Sequence, residues 1–227
     1  MTRAPGYAQY ALMPVRNAHA VPEGLDTESA ALTEPFACVH SNFEQFKVRP
    51  GATVLVIGAG VLGLAAVAFA SKRGAGQVIV SDLAAHRREF SRRLGATVLV
   101  DPRSTDLSKV VKDVTGGKGV DVGIEAVGVG QLLADTVRLT RNRGHVQAIG
   151  LHPTKGLLPM DVNDWQGRAI TLGTTMGRGR SFKAALAELQ GMALRGTITA
   201  RYPLGEAGKA FEHAASGAGI RTAISPN

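Results

Sequence analysis

Cysteine and aromatic residues are scarce in this sequence of 227 residues, and long apolar runs are missing. Cys38 is the only cysteine, which excludes an internal disulfide and a zinc cluster built from several cysteines, and which fits a reducing cytoplasm. The longest apolar stretch, residues 61–70, is too short to cross a bilayer, and the first residues lack the charged segment and apolar run of a signal peptide. We therefore expect a soluble, cytoplasmic protein without a membrane partner.

The formal net charge of +8 invites comparison with nucleic-acid-binding proteins. Basic residues do cluster at positions 86–93. However, the sequence contains no helix-turn-helix, zinc-finger or RNA-recognition signature, and aromatic residues make up only 5% of it, so that few side chains could stack on bases. Positive charge also suits a protein that holds an anionic small ligand. We expect no nucleic-acid partner.

Prolines interrupt the first 50 residues, and from residue 51 onward apolar runs alternate with helical patterns. In the first part we predict an extended strand over residues 7–15 and a helix over residues 27–46 with a kink at Pro35. In the second part the predicted strands cover residues 53–57, 77–81, 98–100, 120–124, 145–149 and 169–173, and the predicted helices cover residues 61–72, 84–94, 107–114, 130–140 and 181–194. This alternation predicts an α/β fold with a parallel sheet and helices on both faces.

The segment from Gly58 to Gly63, GAGVLG, matches the dinucleotide-binding pattern G-x-G-x-x-G between a predicted strand and a predicted helix, as the pattern requires. Gly58 would permit the tight turn, Gly60 would let the backbone approach a pyrophosphate, and Gly63 would let the helix pack on the strand. The helix start, with Val61 and Leu62, would offer N–H groups to the phosphates. The pattern predicts a doubly wound Rossmann sheet; the alternative is a glycine turn in a fold that binds no nucleotide.

Asp82 stands nineteen positions after Gly63, at the end of the second predicted strand. A carboxylate there can accept hydrogen bonds from the adenosine ribose and would repel a 2′-phosphate, which favours NAD over NADP. The arginines nearby favour NADP instead, since they could pair with such a phosphate. Of these, Arg87 is the one placed to reach the adenosine, and the others are interpreted as a solvated helix face. We predict NAD as the cofactor.

Several further segments resemble the medium-chain dehydrogenase/reductase superfamily of zinc-containing alcohol and polyol dehydrogenases. They are GYAQY (6–10), VPEGL (21–25), TEPFAC (33–38), PGATVLV (50–56), GVDV with EAVG (119–122 and 125–128), PL with AFE (203–204 and 210–212) and IRT (220–222). The resemblance implies cofactor contacts beyond the glycine turn. It places Asp82 and Arg87 at the adenosine ribose, and it adds Ala126, Val127 and Gly128 after the fourth strand, Ile149, Gly150 and Leu151 along the nicotinamide, and Arg221 at the pyrophosphate.

The sequence departs from that superfamily because it lacks the earlier cysteine and the G-H-E segment that supply catalytic zinc ligands, and the four-cysteine lobe of many members. A catalytic zinc site needs about three protein ligands. Glu34 and Cys38 match late-ligand positions of different branches, and His40 lies nearby, but we expect no metal site. The catalytic residue stays open among Glu34, Cys38, His40 and His152, which follows the nicotinamide-side strand.

The resemblance implies three segments. Residues 1–50 would be a remnant of a mainly β, GroES-like catalytic domain and a connecting helix, residues 51–175 the Rossmann core, and residues 176–227 its last helix and strand with a C-terminal return segment. We predict an NAD-dependent oxidoreductase acting on a small secondary alcohol or ketone, without the usual zinc site, and a homodimer paired through the edge strand near residues 169–173. The alternatives are a non-catalytic NAD(H)-binding remnant and one subunit of a split dehydrogenase.

Overall fold

The computed structural model describes residues 6–152, 158–175 and 181–226, and its centre is a parallel sheet of six strands. Along the chain the strands are β1 (Thr53–Ile57), β2 (Gln77–Ser81), β3 (Val98–Val100), β4 (Val120–Glu125), β5 (Thr140–Ala148) and β6 (Thr171–Thr174). Their order in the sheet is β3-β2-β1-β4-β5-β6, the order of a doubly wound Rossmann fold. The predicted α/β class and parallel sheet are confirmed.

Helices cover both faces of the sheet because alternate side chains of each strand point to opposite sides. They are α1 (Thr27–Ala30), α2 (Thr33–Phe43), α3 (Val61–Lys72), α4 (Ala85–Arg93), α5 (Leu107–Thr115), α6 (Gly130–Leu139), α7 (Val162–Gly167), α8 (Phe182–Leu189) and α9 (Ala207–Ser216). Val54 and Val56 of β1 join a core cluster with α2, α3 and α8. Leu55 of the same strand joins a separate cluster with α5, on the other face.

The chain adds strands first on one side of β1 and then on the other side, so that the direction of strand addition reverses between β1 and β4. From β1 the sheet extends to β2 and β3, whereas from β4 it extends to β5 and β6. The last residue of β1, Ile57, is in register with Ser81 of β2 and with Glu125 of β4. The loops that follow these three strands therefore leave the same edge of the sheet. Open α/β sheets bind ligands at such a topological switch point.

Two predictions for the first 50 residues are wrong, the strand over residues 7–15 and the kink at Pro35, whereas residues 27–46 are mostly helical, as predicted. The structure contains no strand over residues 7–15, and a short 3-10 helix covers Val15–Asn17. The predicted helix over residues 27–46 is two helices, α1 and α2, separated at Ala31 and Leu32. Pro35 does not kink α2, because it lies in the first turn, where its missing N–H has no intrahelical partner to lose.

Other boundaries shift where the backbone is irregular. β5 begins five residues before the predicted strand because a bulge separates Thr140 from His145 in the pairing with β4. Arg143 lies in that bulge with a left-handed φ of 55°. The predicted strand over residues 169–173 begins only at Thr171, since Ala169 also has a positive φ of 51°. The helix predicted over residues 181–194 ends early, at Leu189.

The last described residues form a small βαβ unit that the periodicity did not predict. β7 (Ile198–Pro203) and β8 (Arg221–Ser225) pair in parallel, with α9 as their connection. The side chain of Arg87 on α4 ties this unit to the main sheet by donating hydrogen bonds to the carbonyl oxygens of Gly217 and Gly219. None of the helices in the three described ranges is long and apolar enough to cross a membrane. The division into segments at residues 50 and 175 stays a prediction.

Candidate functional site

An open cleft of about 820 Å³ lies at the carboxyl edge of the sheet, where β1 and β4 adjoin. Ligand sites commonly have volumes of a few hundred to a thousand Å³. The glycine turn and the segments after β2, β3 and β4 line the cleft. The lining residues include Ile57, Gly58, Gly60, Asp82, Leu83, Arg87, Pro102, Thr105, Leu107, Ala126 and Val127. The sequence therefore brings its predicted glycine turn, Asp82 and Arg87 to one cavity.

The glycines of the turn after β1 have different structural reasons. Gly58 has a φ of 92°, and a Cβ there would lie 2.6 Å from the Cγ2 atom of Val127. A Cβ at Gly63 would overlap the carbonyl oxygen of Gly58, so the close packing of α3 on the turn requires glycine. A Cβ at Gly60, in contrast, would meet no heavy atom within 4 Å. Gly60 thus leaves open space on the side of the cleft.

The amino terminus of α3 begins at this open space: Gly60 lines the cleft, whereas Val61 and Leu62 do not. Gly60 is the N-cap residue of α3, and no side chain in the described part of the chain caps the helix there. The first N–H groups of a helix have no intrahelical acceptor and carry a partial positive charge. Val61 and Leu62, which supply these first amides, are half-buried. An uncapped helix start beside an open cavity can accept a phosphate group.

Two backbone amides hold the carboxylate of Asp82, which follows β2, beside the glycine turn. Its Oδ2 atom accepts a hydrogen bond from the amide of Ala59 at 2.7 Å, and its Oδ1 atom accepts one from the amide of Ala84, also at 2.7 Å. The two bonds join the glycine turn to the start of α4. Each carboxylate oxygen has further lone pairs, so both can still accept hydrogen bonds from ligand hydroxyl groups.

Arginines around Asp82 are bonded largely to protein oxygens. Arg88 donates to the backbone carbonyl oxygens of Asp82 and Leu83 and forms an ion pair with Asp101 at 3.0 Å. A hydrogen bond from Arg103 holds the pKa of Asp101 far below its usual range, so this carboxylate stays ionised beside the cleft. Arg87 lines the cleft while it bonds to the C-terminal βαβ unit.

The loops after β4 and β5 are in close contact at two glycines, Gly128 and Gly150. A Cβ at Gly128 would overlap the carbonyl oxygen of Leu151, and a Cβ at Gly150 would overlap the amide nitrogen of Gly128. Ile149 is only 8% exposed and belongs to the core, whereas Leu151 is 70% exposed. Of the six residues expected along these two loops, only Ala126 and Val127 line the cleft itself.

Arg221 does not line the cleft. It is the first residue of β8, and it lines a separate cavity of about 280 Å³ with Tyr7 and Phe211, whose rings meet edge to face at 5.4 Å. Arg87 lines both cavities. The contact that the resemblance implies between Arg221 and a pyrophosphate therefore stays a prediction.

The three residues considered for a metal lie on α2 and do not converge. Cys38 donates a weak hydrogen bond to Glu34, with sulfur and oxygen 3.5 Å apart. Burial, reinforced by the Glu34 carboxylate, raises the pKa of the Cys38 thiol to about 11, so that the free thiol is protonated at neutral pH. His40 is 5% exposed, and its Nε2 atom lies 3.1 Å from Glu188 of α8. Within the described ranges no three His, Cys, Asp or Glu residues lie close enough to hold a metal ion.

Sequence reasoning missed the far wall of the cleft and one buried acid. That wall is formed by four residues after β2 and β3, and their positions at strand ends could have predicted it from the sequence: Leu83, Pro102, Thr105 and Leu107. Glu125 ends β4, is completely buried, and accepts hydrogen bonds at 2.7 Å from the amides of the next loop. Its place at a strand end was again visible in the sequence, but its burial was not.

Comparison with known proteins identifies the family of this chain. Residues 61–191 match the family described as zinc-binding dehydrogenase. The sorbitol dehydrogenase of Bacillus subtilis (strain 168) is 35% identical over 156 residues, which are 69% of this chain and 44% of that protein. The L-threonine 3-dehydrogenase of Legionella pneumophila (strain Corby) is 31% identical over 214 residues, which are 93% of this chain and 62% of that protein.

A solved structure from Sinorhizobium meliloti 1021, described as a zinc-binding dehydrogenase bound to NADP, superposes with a TM-score of 0.76 at 28% identity. The superposition covers 83% of this chain and 56% of that one. The chain thus spans less than two thirds of the length of each of these relatives. The family match extends over more than half of the chain, with the glycine turn, the sheet order and the switch-point cleft in agreement. The chain belongs to the zinc-binding dehydrogenases of the medium-chain dehydrogenase superfamily.

Proposed function

We propose that this protein is an NAD-dependent oxidoreductase that transfers a hydride between the nicotinamide and a secondary alcohol or ketone. One observation carries the proposal: the cleft combines an open Gly60 at an uncapped helix start with the fixed carboxylate of Asp82. These features suit the pyrophosphate and the ribose hydroxyls of a dinucleotide, respectively. When bound, the nicotinamide supplies the hydride acceptor or donor, while the chain binds and orients it.

Asp82 also supports NAD over NADP in this proposal. A 2′-phosphate on the adenosine ribose would bring negative charge next to the carboxylate. Arg88, which could offset that charge, is bonded to two backbone carbonyl oxygens and to Asp101. The relative from Sinorhizobium meliloti binds NADP. NADPH is therefore the comparison that the experiments must include.

The substrate class follows from the relatives. The sorbitol and L-threonine dehydrogenases are named for substrates that carry a secondary alcohol, which is the group that the proposed reaction oxidises. The proposal does not depend on zinc: within the described residues Glu34, Cys38 and His40 do not form a three-ligand site, and the assay below measures turnover with and without the ion. Hydride transfer is proposed for the cofactor cleft alone.

The test is an assay of NADH formation from NAD with sorbitol, L-threonine and a panel of simple secondary alcohols. It is run both with added Zn²⁺ and with a chelator, on the wild-type chain and on Asp82→Asn. The variant keeps the shape of the side chain but removes the charge that should bind the ribose. Loss of a hydrogen bond to a charged group costs about 1.5–3 kcal/mol, so we expect the KM for NAD to rise about tenfold or more.

The matched control is Asp135→Asn, which removes a carboxylate from the same cleft. Asp135 lies on α6, and within the described residues its side chain bonds to Gln131 and Arg138 and to no residue of the glycine turn. It should leave the KM for NAD near the wild-type value. The absence of turnover with every alcohol would contradict the oxidoreductase, and equal effects of the two variants would contradict the role of Asp82.

A homodimer is the proposed assembly. Among the described residues, β6 forms the edge of the main sheet and pairs only with β5. Its terminal residues Thr171 and Thr174 are exposed, and an exposed strand edge offers unpaired backbone groups to a second strand. Sedimentation equilibrium should give twice the mass of one chain. A monomer at micromolar concentration would contradict the proposal.

A further inference from the structure

β4 ends in a carboxylate whose hydrogen-bonding capacity is only half used. The Oε1 atom of Glu125 accepts hydrogen bonds from the amides of Val127 and Gly128, both at 2.7 Å. The Oε2 atom is buried and has no hydrogen-bond partner within the described part of the chain. Leaving a buried carboxylate oxygen unpaired is costly, and such groups tend to mark functional positions.

His152 is the side chain that faces this unpaired oxygen. Its Nε2 atom lies 3.6 Å from the Oε2 atom of Glu125, and its side chain is 33% exposed while that of Glu125 is fully buried. The ring therefore stands between a buried carboxylate and the open side of the sheet edge. The separation exceeds a hydrogen bond, but catalytic hydrogen bonds are often long before substrate binds and shorten in the complex.

Glu125 directly precedes residues that line the cofactor cleft, and His152 lies beside Glu125, although neither residue lines the cleft itself. Glu125 is in register with Ile57 at the end of β1, and it is followed directly by Ala126 and Val127, which line the cleft. The backbone carbonyl of Glu125 accepts hydrogen bonds from the amides of Ile149 and Gly150, so the loop that carries His152 is anchored to the end of β4. Glu125 and the loop that carries His152 are thus held at the carboxyl ends of β4 and β5, next to the topological switch point.

We propose that Glu125 and His152 form a carboxylate–imidazole pair in which His152 exchanges the proton of the substrate hydroxyl group. This inference rests on the dehydrogenase function proposed above. The carboxylate of Glu125 holds the tautomer with hydrogen on Nε2, which leaves Nδ1 as the proton acceptor. Glu125 is a positioning residue, and His152 is the catalytic residue.

In the direction of oxidation, the substrate alcohol loses one proton and one hydride. The hydroxyl O–H bond breaks, and its proton passes to the Nδ1 atom of His152. The C–H bond on the same carbon breaks, its electron pair leaves as hydride to the nicotinamide, and the C–O bond becomes a carbonyl. The resulting imidazolium is stabilised by the carboxylate of Glu125 and returns its proton to water through the exposed side of the ring.

The tautomer can be measured without cofactor or substrate. Long-range ¹H–¹⁵N correlation spectra of the chain labelled with ¹⁵N-histidine, recorded at alkaline pH, show which ring nitrogen carries the proton, and His152→Asn assigns the signal. We expect the Nε2–H tautomer to predominate. Glu125→Gln can keep both amide bonds but turns an NH₂ group toward Nε2, so the Nδ1–H tautomer should gain. His145, bonded to Gln147, should not change. An unchanged His152 spectrum in Glu125→Gln would overturn the pair.

The catalytic role is measured with any alcohol that the panel identifies. His152→Ala should lower kcat by about 10²–10⁴-fold, while NADH binding stays unchanged and added imidazole restores part of the rate. A wild-type kcat in His152→Ala would refute the role. If the wild-type chain turns over no alcohol, the dehydrogenase proposal fails, whereas the tautomer spectra still decide whether Glu125 holds His152.

Discussion

Gly60→Ala is expected to weaken cofactor binding while leaving the free energy of unfolding nearly unchanged. The new methyl group would meet no heavy atom of the described residues within 4 Å, and Gly60 has φ −68° and ψ −176°, which alanine adopts without strain. Alanine in place of a compatible glycine stabilises a protein by about 0.4–1 kcal/mol through the unfolded chain. Alanine is a poorer N-cap than glycine by a similar amount, about 0.5–1 kcal/mol. The two effects should nearly cancel.

Cofactor binding should respond differently, because the space that the methyl group fills is the approach to the amides of α3. A pyrophosphate held away from that helix start would lose at least one hydrogen bond to a charged group, worth about 1.5–3 kcal/mol. The dissociation constant for NADH should therefore rise about tenfold or more. Urea unfolding and a fluorescence titration with NADH measure the two quantities on the same sample.

Gly63→Ala is the matched comparison within the same turn. Its methyl group would overlap the carbonyl oxygen of Gly58, a backbone atom that cannot move without shifting α3. Overpacking of this kind costs about 1–3 kcal/mol or more, so Gly63→Ala should lower the free energy of unfolding. The reasoning is refuted if Gly60→Ala binds NADH like the wild type, or if both variants are destabilised to the same extent.

Three further predictions concern other parts of the fold. Burial raises the pKa of Asp121, but hydrogen bonds from a backbone amide of β1 and from Arg141 outweigh burial, so that the pKa is lowered overall. The stability that this carboxylate contributes is therefore present at neutral pH and is lost as the pH falls through the lowered pKa. Asp121→Asn should lower the free energy of unfolding at pH 7 by an amount that shrinks in acid, unlike the exposed control Asp113→Asn. Arg143→Gly should stabilise the chain by about 0.5–1 kcal/mol in urea unfolding by relieving the left-handed backbone, and Arg143→Ala, which keeps the Cβ atom, should show no such gain. Arg87→Ala should speed amide hydrogen exchange in β8, because it removes the three bonds to the α9–β8 loop; equal exchange in Arg87→Ala and in the control Arg92→Ala would contradict that role.

The sequence predicts the sheet well because its strands are short apolar runs with clear ends. Thr53–Ile57 and Gln77–Ser81 have the bounds that the pattern predicts, since both are buried strands between turn residues. The early segment over residues 7–15 is apolar enough to suggest a strand, but no neighbouring strand pairs with it. Propensity alone could not show that a partner was missing.

The site was partly predictable for a related reason. Glycine spacing and the position of Asp82 follow from one turn and one strand, which are local features. The pairing of Glu125 with His152 joins residues 27 positions apart through two strand ends, and no local pattern encodes it. The burial of His40 against Glu188 depends in the same way on how α2 packs on α8. Contacts between distant segments needed the structure.

Paired titrations of the wild-type chain with NADH and NADPH, followed by nicotinamide fluorescence, measure the cofactor preference. We expect saturable binding of NADH and binding of NADPH that is weaker by about tenfold or more, because a 2′-phosphate would face the fixed carboxylate of Asp82. Tighter binding of NADPH would contradict the choice of NAD. Binding of neither dinucleotide would contradict the cofactor cleft itself.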